Sequence, residues 1–496
     1  MKILIYNPLA AVWRPRLPAV LSIAQGLIDA GHDVVLVGCD KSVPACTANL
    51  DHAGAICDYC TARRDKGYAL LSGRFNLKSI DEYLDADTRR KLDGTERIPD
   101  ADALRALHYR GADVGYAAFS SYAYVARKPE PNLRNAAVAR TISRLVHTGK
   151  LVYEAMTNAI AAEKPDRVIL YHGRSDIDRA ALRACQHGGV ECWVYENALS
   201  LNQLVYFKNA LPQDVDNFAR TVDELWAQAP ADKHTIAESF YTMRRQGQSD
   251  VQAAGATIAT QDRSYITRQT RGTLPDDWDG TRKNIVFYGT SNDEFIAIGP
   301  DYEDRLYPTQ VDALARISAS LQDDPSVHLY FRIHPRQARV RDELSDGLMR
   351  LDRERNNVTV IPADSDVSSY TLLDNADLVL TFRSTMSMQA VYWGKPCLIL
   401  SASIFRPLGA TYNPTTHEEV IELIRALPPP KDKTPALKVG YYYMRSGSSH
   451  DYFTADIGKG RKGYTFRGDA IMVTGLKRWR YVMSRERQRL KWRKLL

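Results

Sequence analysis

The 496 residues predict an α/β protein with two doubly wound parallel sheets, and three observations carry that prediction. Short apolar runs alternate with helix-spaced repeats near the N-terminus, and they alternate again after about residue 283. The later runs, such as "VHLYFRI" and "LVLTF", are apolar throughout, as strands covered on both faces should be. Between the two regions lies "RGTLPDDWDGTR" (271–282), rich in Gly, Pro and Asp, where we place a linker.

The first strand is "KILIY" (Lys2–Tyr6). Leu17, Leu21, Ala24 and Ile28 then repeat at helical spacing until Gly31, and "DVVLVG" (Asp33–Gly38) is the next strand. The intervening loop "NPLAAVWRPRLP" contains no G-x-G-x-x-G, so a dinucleotide cofactor has no support. Residues from about 61 to 148 are charged, Arg- and Tyr-rich and weakly periodic, and we expect a helical insertion there. The pattern resumes with a strand at Arg167–Tyr171, a helix ended by Gly188-Gly189, and a strand over 192–195 that exits on Glu196-Asn197. A helical zone then runs to about Thr270, closing a first domain over 1–270.

The second domain, 283–430, repeats the scheme. "NIVFY" exits on "GTSNDE", "VHLYFRI" on His334-Pro335, "VTVI" on "PADSD" and "LVLTF" on "RSTMS". A helix opens at "THEEVIELIRAL", where Thr416 and Glu419 form a capping box. Residues 431–496 form an extension ending in a basic helix. Two such domains are expected to face a cleft, with ligands outside the carboxyl ends of the strands. One edge of the second sheet should gather Thr290, Ser291, Glu294, His334, Pro335, Arg336, Arg383, Ser384 and Thr385. Ser384-Thr385 at a helix start offers free N–H groups to phosphate, so the edge suits a nucleotide mono- or diphosphate. Taken singly, Ser384 has a plainer role as an N-cap and His334 as a strand-end residue.

Charge and cysteine usage narrow the partners. The formal net charge is +7, yet residues 477–496 alone hold nine Lys/Arg against Glu486, leaving −1 for the rest. The body is therefore no nucleic-acid binder. The tail, which also carries Trp479, Tyr481 and Trp492, suits an anionic membrane surface; a solvated terminal helix is the bland alternative. There is no apolar run of 18 residues and no signal-peptide pattern at the N-terminus. We expect a cytoplasmic protein, peripheral on the inner face of the cytoplasmic membrane. Seven cysteines without a secretory signal argue against a disulfide framework. Cys39, Cys46, Cys57 and Cys60 leave two readings, reduced thiols, which we favour, or a structural zinc.

The second half resembles the two-domain GT-B glycosyltransferases, in particular the bacterial capsule and surface-polysaccharide enzymes of the Kdo-transferase type. The residues that carry this are "HP" after a strand and, about fifty residues on, "ADLVLTFRSTMSMQAVYWGKPCLIL". "SDIDRAALRACQHGGVECWVYENA" is similar to the helix–strand–Glu segment of the capsule Kdo transferases. The resemblance implies a nucleotide-sugar donor, with HP against the CMP of a CMP-linked acidic sugar such as CMP-Kdo, and a glycan or lipid-linked glycan acceptor. Two departures stand out: Gln389 replaces the usual acidic residue of the last helix, and "NAL" follows Glu196 where the Kdo transferases continue with glycine and arginine.

An inverting transferase needs a base for the acceptor hydroxyl and a stabiliser for the leaving phosphate. Glu196 and Asp176 are the carboxylates beside strand exits in the first domain; Glu196 is preferred, and Asp176 has a plainer role as a helix cap. His334 is assigned to the leaving phosphate. The only D-x-D in a second-domain exit is the "DSD" of "PADSD", so no metal or other cofactor is expected in the reaction. An epimerase of the same architecture and a non-catalytic polysaccharide assembly factor remain as alternatives.

Overall fold

The computed structural model describes residues 1–10, 16–92, 96–126, 128, 130–248, 250–253, 256–259, 269–290, 296–303, 306–337, 343–456 and 463–495. They fall into two compact units, Met1–Pro212 with Asp293–Gly299 and Gly447–Leu496, and Gln213–Asn292 with Pro300–Ser446.

The first unit holds β1 (Lys2–Tyr6), β2 (Asp33–Gly38), β3 (Asn76–Ser79), β4 (Arg167–Tyr171), β5 (Glu191–Asn197) and β6 (Gln203–Lys208). The second holds β7 (Asp250–Ala253), β8 (Ala256–Ala259), β9 (Lys283–Tyr288), β10 (Val327–Arg332), β11 (Val358–Ile361), β12 (Leu378–Thr381) and β13 (Cys397–Ile399). The chain then returns to the first unit with β14 (Ser448–Ser449), β15 (Phe453–Asp456) and β16 (Gly463–Phe466).

The large sheet of the first unit has the order β14-β6-β5-β4-β1-β2-β3, that of the second β11-β10-β9-β12-β13. From β3 to β5 all pairings are parallel, and the hairpin partner β6 and short β14 add an antiparallel edge. The second sheet is parallel throughout. Counted within its own unit, each parallel core runs 3-2-1-4-5, the doubly wound order, with its topological switch point between first and fourth strands. Both faces of the first sheet are covered: Leu4, Val35, Val168 and Val194 point into one buried cluster, Ile3, Val34, Ile169 and Tyr195 into another.

Three expectations change. The stretch 61–148 is not a mere insertion, because it contributes β3 to the sheet, and Leu104, Phe119, Tyr122 and Val138 to the core. β3 reads "NLKS", a short, mostly solvated edge without an apolar run to announce it. The boundary between units falls at 212/213 rather than in 271–282, since helices Val215–Ala227 and Lys233–Gln246 pack on Thr434–Arg445. Phe218 meets Tyr442 edge-on at 5.1 Å there, and Phe240 stacks on Tyr443 at 5.1 Å. The extension from 447 belongs to the first unit: Phe453, Phe466 and Ile471 join the cluster beneath helix Arg16–Asp29.

Candidate functional site

At the switch point of the first sheet, β1 and β4 end beside each other, with Tyr6 in register with Leu170. The chain leaving β4 turns at once: Gly173 N–H donates to Tyr171 O at 2.6 Å, and His172 (φ 58°) and Gly173 (φ 72°) both take left-handed conformations. A histidine in that region is strained, and such turns recur where side chains must be aimed. A Cβ on Gly173 would meet Leu211, Leu182 and Val194. The turn feeds helix Asp176–His187, whose first residues carry the charge.

Arg16 is the hub of this edge. Its guanidinium pairs with Asp178 through both nitrogens, at 2.7 and 3.1 Å, with the side chains 3% and 2% exposed. Ser175 Oγ donates to the same carboxylate at 2.7 Å. Burial opposes the Arg16 charge, and Asp178 more than restores it. The guanidinium also lies over the Tyr171 ring, 4.8 Å from its centroid, and Tyr171 packs on Tyr195. Tyr6 Oη, Asn7 Oδ1, Arg16 Nε, His172 Nδ1, Tyr195 Oη and Glu196 Oε1 are buried here with no protein hydrogen-bond partner. Buried polar atoms rarely stay so, and six at one switch point mark a surface built to meet water or a ligand.

Glu196 lies within β5, paired with Val205, rather than beyond its end. Burial pushes its carboxyl above the usual range, while His172, 4.0 Å away, and Tyr171 pull it down. Asp176 faces elsewhere. It is fully buried, and its Oδ1 accepts from Thr47 N at 3.3 Å, Thr47 Oγ1 at 2.5 Å and Ser121 Oγ at 2.8 Å. Burial raises it to about 6. It is not the helix cap, which is Ser175; it ties the helix start to the loop after β2.

In the second sheet Tyr288 is in register with Arg332 on one side and Thr381 on the other, so β10, β9 and β12 end level. Gly289-Thr290, His334-Pro335 and Arg383-Ser384-Thr385 therefore leave one edge. Gly289 passes against β10, where a Cβ would sit 3.0 Å from the Phe331 ring. Thr290 is clasped by Gln310, which accepts its N–H and donates to its carbonyl, both at 2.9 Å. His334 O accepts from Gln337 N at 2.9 Å, opening the single turn Pro335–Gln337 that contains the Arg336 backbone. Arg383 donates to Ala402 O at 3.2 Å and Tyr302 O at 3.0 Å. Ser384 Oγ accepts Met386 N–H at 3.2 Å, and Arg244 donates to Thr385 Oγ1 at 3.3 Å. Gln389 is buried, its Oε1 accepting from Tyr370 Oη, so it braces the helix from inside. Ser291, Glu294 and the Arg336 side chain lie outside the described residues.

The four early cysteines line one cavity with Tyr6, Leu9 and Ile177. Ala10 N–H donates to Cys60 Sγ at 3.2 Å and Asn49 Nδ2 to Cys57 Sγ at 3.3 Å, while burial pushes the Cys46 and Cys57 thiols up. Among the described residues no three His, Cys, Asp or Glu come together as metal ligands.

Sequence reasoning missed Arg16, Asp178, Tyr6, Asn7, Tyr171, His172 and Tyr195 in the first unit, and Arg332 in the second. Arg332 is 1% exposed and spans from β10 to Pro362 O and, at 3.2 Å, Ser365 O; burial lowers it to about 10, still cationic at neutral pH. The strand ends "NIVFY", "VILY" and "WVY" carried the one available signal, tyrosines at the carboxyl edge.

No protein-family model matches the chain, and no curated protein matches it. Among solved structures it is similar to the beta Kdo 2,4 transferase of Thermosulfurimonas dismutans KpsC, at 14% identity over 56% of this chain and 79% of that one, with a TM-score of 0.35. It is similar to the beta Kdo 2,7 transferase of the same protein at 12% identity over 63% and 86%, TM-score 0.33. It is also similar to the UDP-GlcNAc 2-epimerase of Neisseria meningitidis bound to UDP-GlcNAc, at 12% identity over 90% and 94%, TM-score 0.29. Each is a distant likeness of fold, and the fold class rests on the two strand orders.

Proposed function

We propose that this chain is a GT-B glycosyltransferase that moves a sugar from a nucleotide-activated donor to a surface polysaccharide or glycolipid acceptor. The observation that carries the reading is Glu196, a carboxyl raised by burial at the carboxyl end of a doubly wound sheet, beside a buried Arg16–Asp178 pair and the unpartnered hydroxyls of Tyr6 and Tyr195. A raised carboxylate is the stronger base near neutral pH. In the proposed step Glu196 takes the acceptor's hydroxyl proton and the acceptor oxygen bonds to the anomeric carbon with inversion. The carbon–oxygen bond to the nucleotide phosphate breaks, and the phosphate leaves with the electron pair, stabilised by His334. No metal is assigned to the step. The donor we favour is a CMP-linked acidic sugar such as CMP-Kdo, on the HP motif.

The test is a thermal-shift screen across CMP, UDP, GDP and their sugar conjugates, followed by product analysis. We expect a CMP conjugate to raise the melting temperature most, and slow donor hydrolysis without acceptor. Reversible conversion of a nucleotide sugar overturns the reading in favour of an epimerase. Stabilisation by none of them leaves the assembly-factor reading.

A further inference from the structure

Helix Gly475–Leu495 has two working faces. The inner one repeats at four, three and four residues: Tyr481, Arg485, Gln488 and Trp492. Tyr481 stacks on Tyr59 at 4.1 Å, and Arg485 donates to Ala48 O at 2.9 Å. The Gln488 amide oxygen, turned inward, accepts Leu50 N–H at 2.8 Å, and Trp492 is 2% exposed against Tyr122. The helix is thereby locked on the core of the first unit.

About half a turn away runs Leu476, Trp479, Met483 and Leu490, at spacings of three, four and seven, exposed by 61, 61, 41 and 48%. With Val482 on its flank, this one helix holds five of the nine large apolar side chains exposed among the described residues. Single exposed apolar residues need no explanation, but Leu476, Trp479 and Met483 on successive turns do, with Leu490 beyond the exposed Glu486, which pairs with Arg489 at 2.8 Å. Arg478, Arg480, Arg487 and Arg489 are exposed along its two sides.

We propose that this outer face docks on an anionic lipid surface, with Trp479, Leu476, Met483 and Leu490 entering the headgroup–acyl boundary and the flanking arginines meeting lipid phosphates. Charge complementarity selects the occupant. A second copy would set one strongly cationic face against another, and a nucleic acid would take the arginines but leave the apolar stripe in water. The inner face already holds the helix, so docking orders no new segment and presents the first unit in one orientation. The inference is independent of the transfer reaction proposed above.

The test uses the full chain in vesicle sedimentation, with mixed phosphatidylglycerol–phosphatidylethanolamine vesicles against pure phosphatidylcholine. We expect binding to the anionic vesicles alone, fading as salt rises, with a blue shift of tryptophan emission that Trp479→Phe removes. Trp479→Ser with Leu490→Ser should weaken binding by at least about tenfold at an unchanged melting temperature, because both side chains already lie in water. Arg480→Glu with Arg487→Glu should weaken it comparably and flatten the salt dependence. The proposal is overturned if the wild type does not sediment with anionic vesicles, or if the serine variant binds as well. A dimer that the serine variant dissolves, or nucleic-acid binding that it leaves intact without vesicle binding, would also overturn it.

Discussion

The two sheets share one strand order and differ at their carboxyl edges. In the first, two opposite charges meet in the interior, and six polar atoms around them have no protein partner. In the second, the described cations are spent on backbone: Arg332 on Pro362 and Ser365 carbonyls, Arg383 on those of Ala402 and Tyr302. At the carboxyl ends of its strands only Arg332 Nε and Thr381 Oγ1 stay unmatched, among the described residues. The same winding thus supports two designs. One edge keeps buried polar atoms without protein partners; the other is braced by its own main chain.

The largest expected effect comes from breaking the buried pair of the first edge. Arg16→Met leaves Asp178 charged, buried and unpaired, and should cost about 3–5 kcal/mol in denaturant unfolding. Arg16→Met with Asp178→Leu should recover most of it. Arg332→Met, the counterpart in the second sheet, strips only carbonyls of donors and should cost about 1–3 kcal/mol. Equal costs would erase the contrast.

Chemistry sharpens it next. Glu196→Gln should lower transfer by roughly two orders of magnitude or more while nucleotide-sugar affinity survives. His334→Ala should lower turnover by about a hundredfold with normal melting. An active Glu196→Gln beside a dead Asp176→Asn would move the base to the other carboxylate.

A pH titration separates those two carboxylates without any substrate. Asp176 rises from 3.8 to about 6 on folding, so its contribution to stability is greatest below about pH 4 and is lost as pH climbs through 6. Asp176→Asn should therefore gain on the wild type by on the order of 3 kcal/mol across that window, read from unfolding at each pH. A constant difference would mean that folding leaves the Asp176 carboxyl unshifted. The smallest effect belongs to Gln389→Ala: its side chain is buried and accepts from Tyr370 Oη, so nucleotide affinity should change less than about threefold in the same thermal-shift measurement.

How legible each part was follows from the range of its interactions. Lys2–Tyr6, Asp33–Gly38, Arg167–Tyr171 and Val358–Ile361 were read to the residue, because strands covered on both faces must be continuously apolar. The capping box at Thr416 and Glu419 formed as expected, both partners lying within one turn. Asn76–Ser79 and Gln203–Lys208 were not read: an edge strand and an antiparallel hairpin partner need no such run. The Arg16–Asp178 pair joins residues 162 apart, and nothing local marks either one.

By itself, then, the sequence determined where the buried strands run, that they alternate with helices, and that the positive excess lies in the final twenty residues. Those properties are local, set by side-chain period and composition. Tertiary structure alone decided that Glu196 joins the Arg16 cluster while Asp176 turns to Thr47 and Ser121. It also decided that the tail lies down on Tyr59 and Tyr122 with Trp479 outward and Trp492 inward. A charge acquires its partner, and an amphipathic helix its inner face, only when strand order and register bring distant segments to one edge.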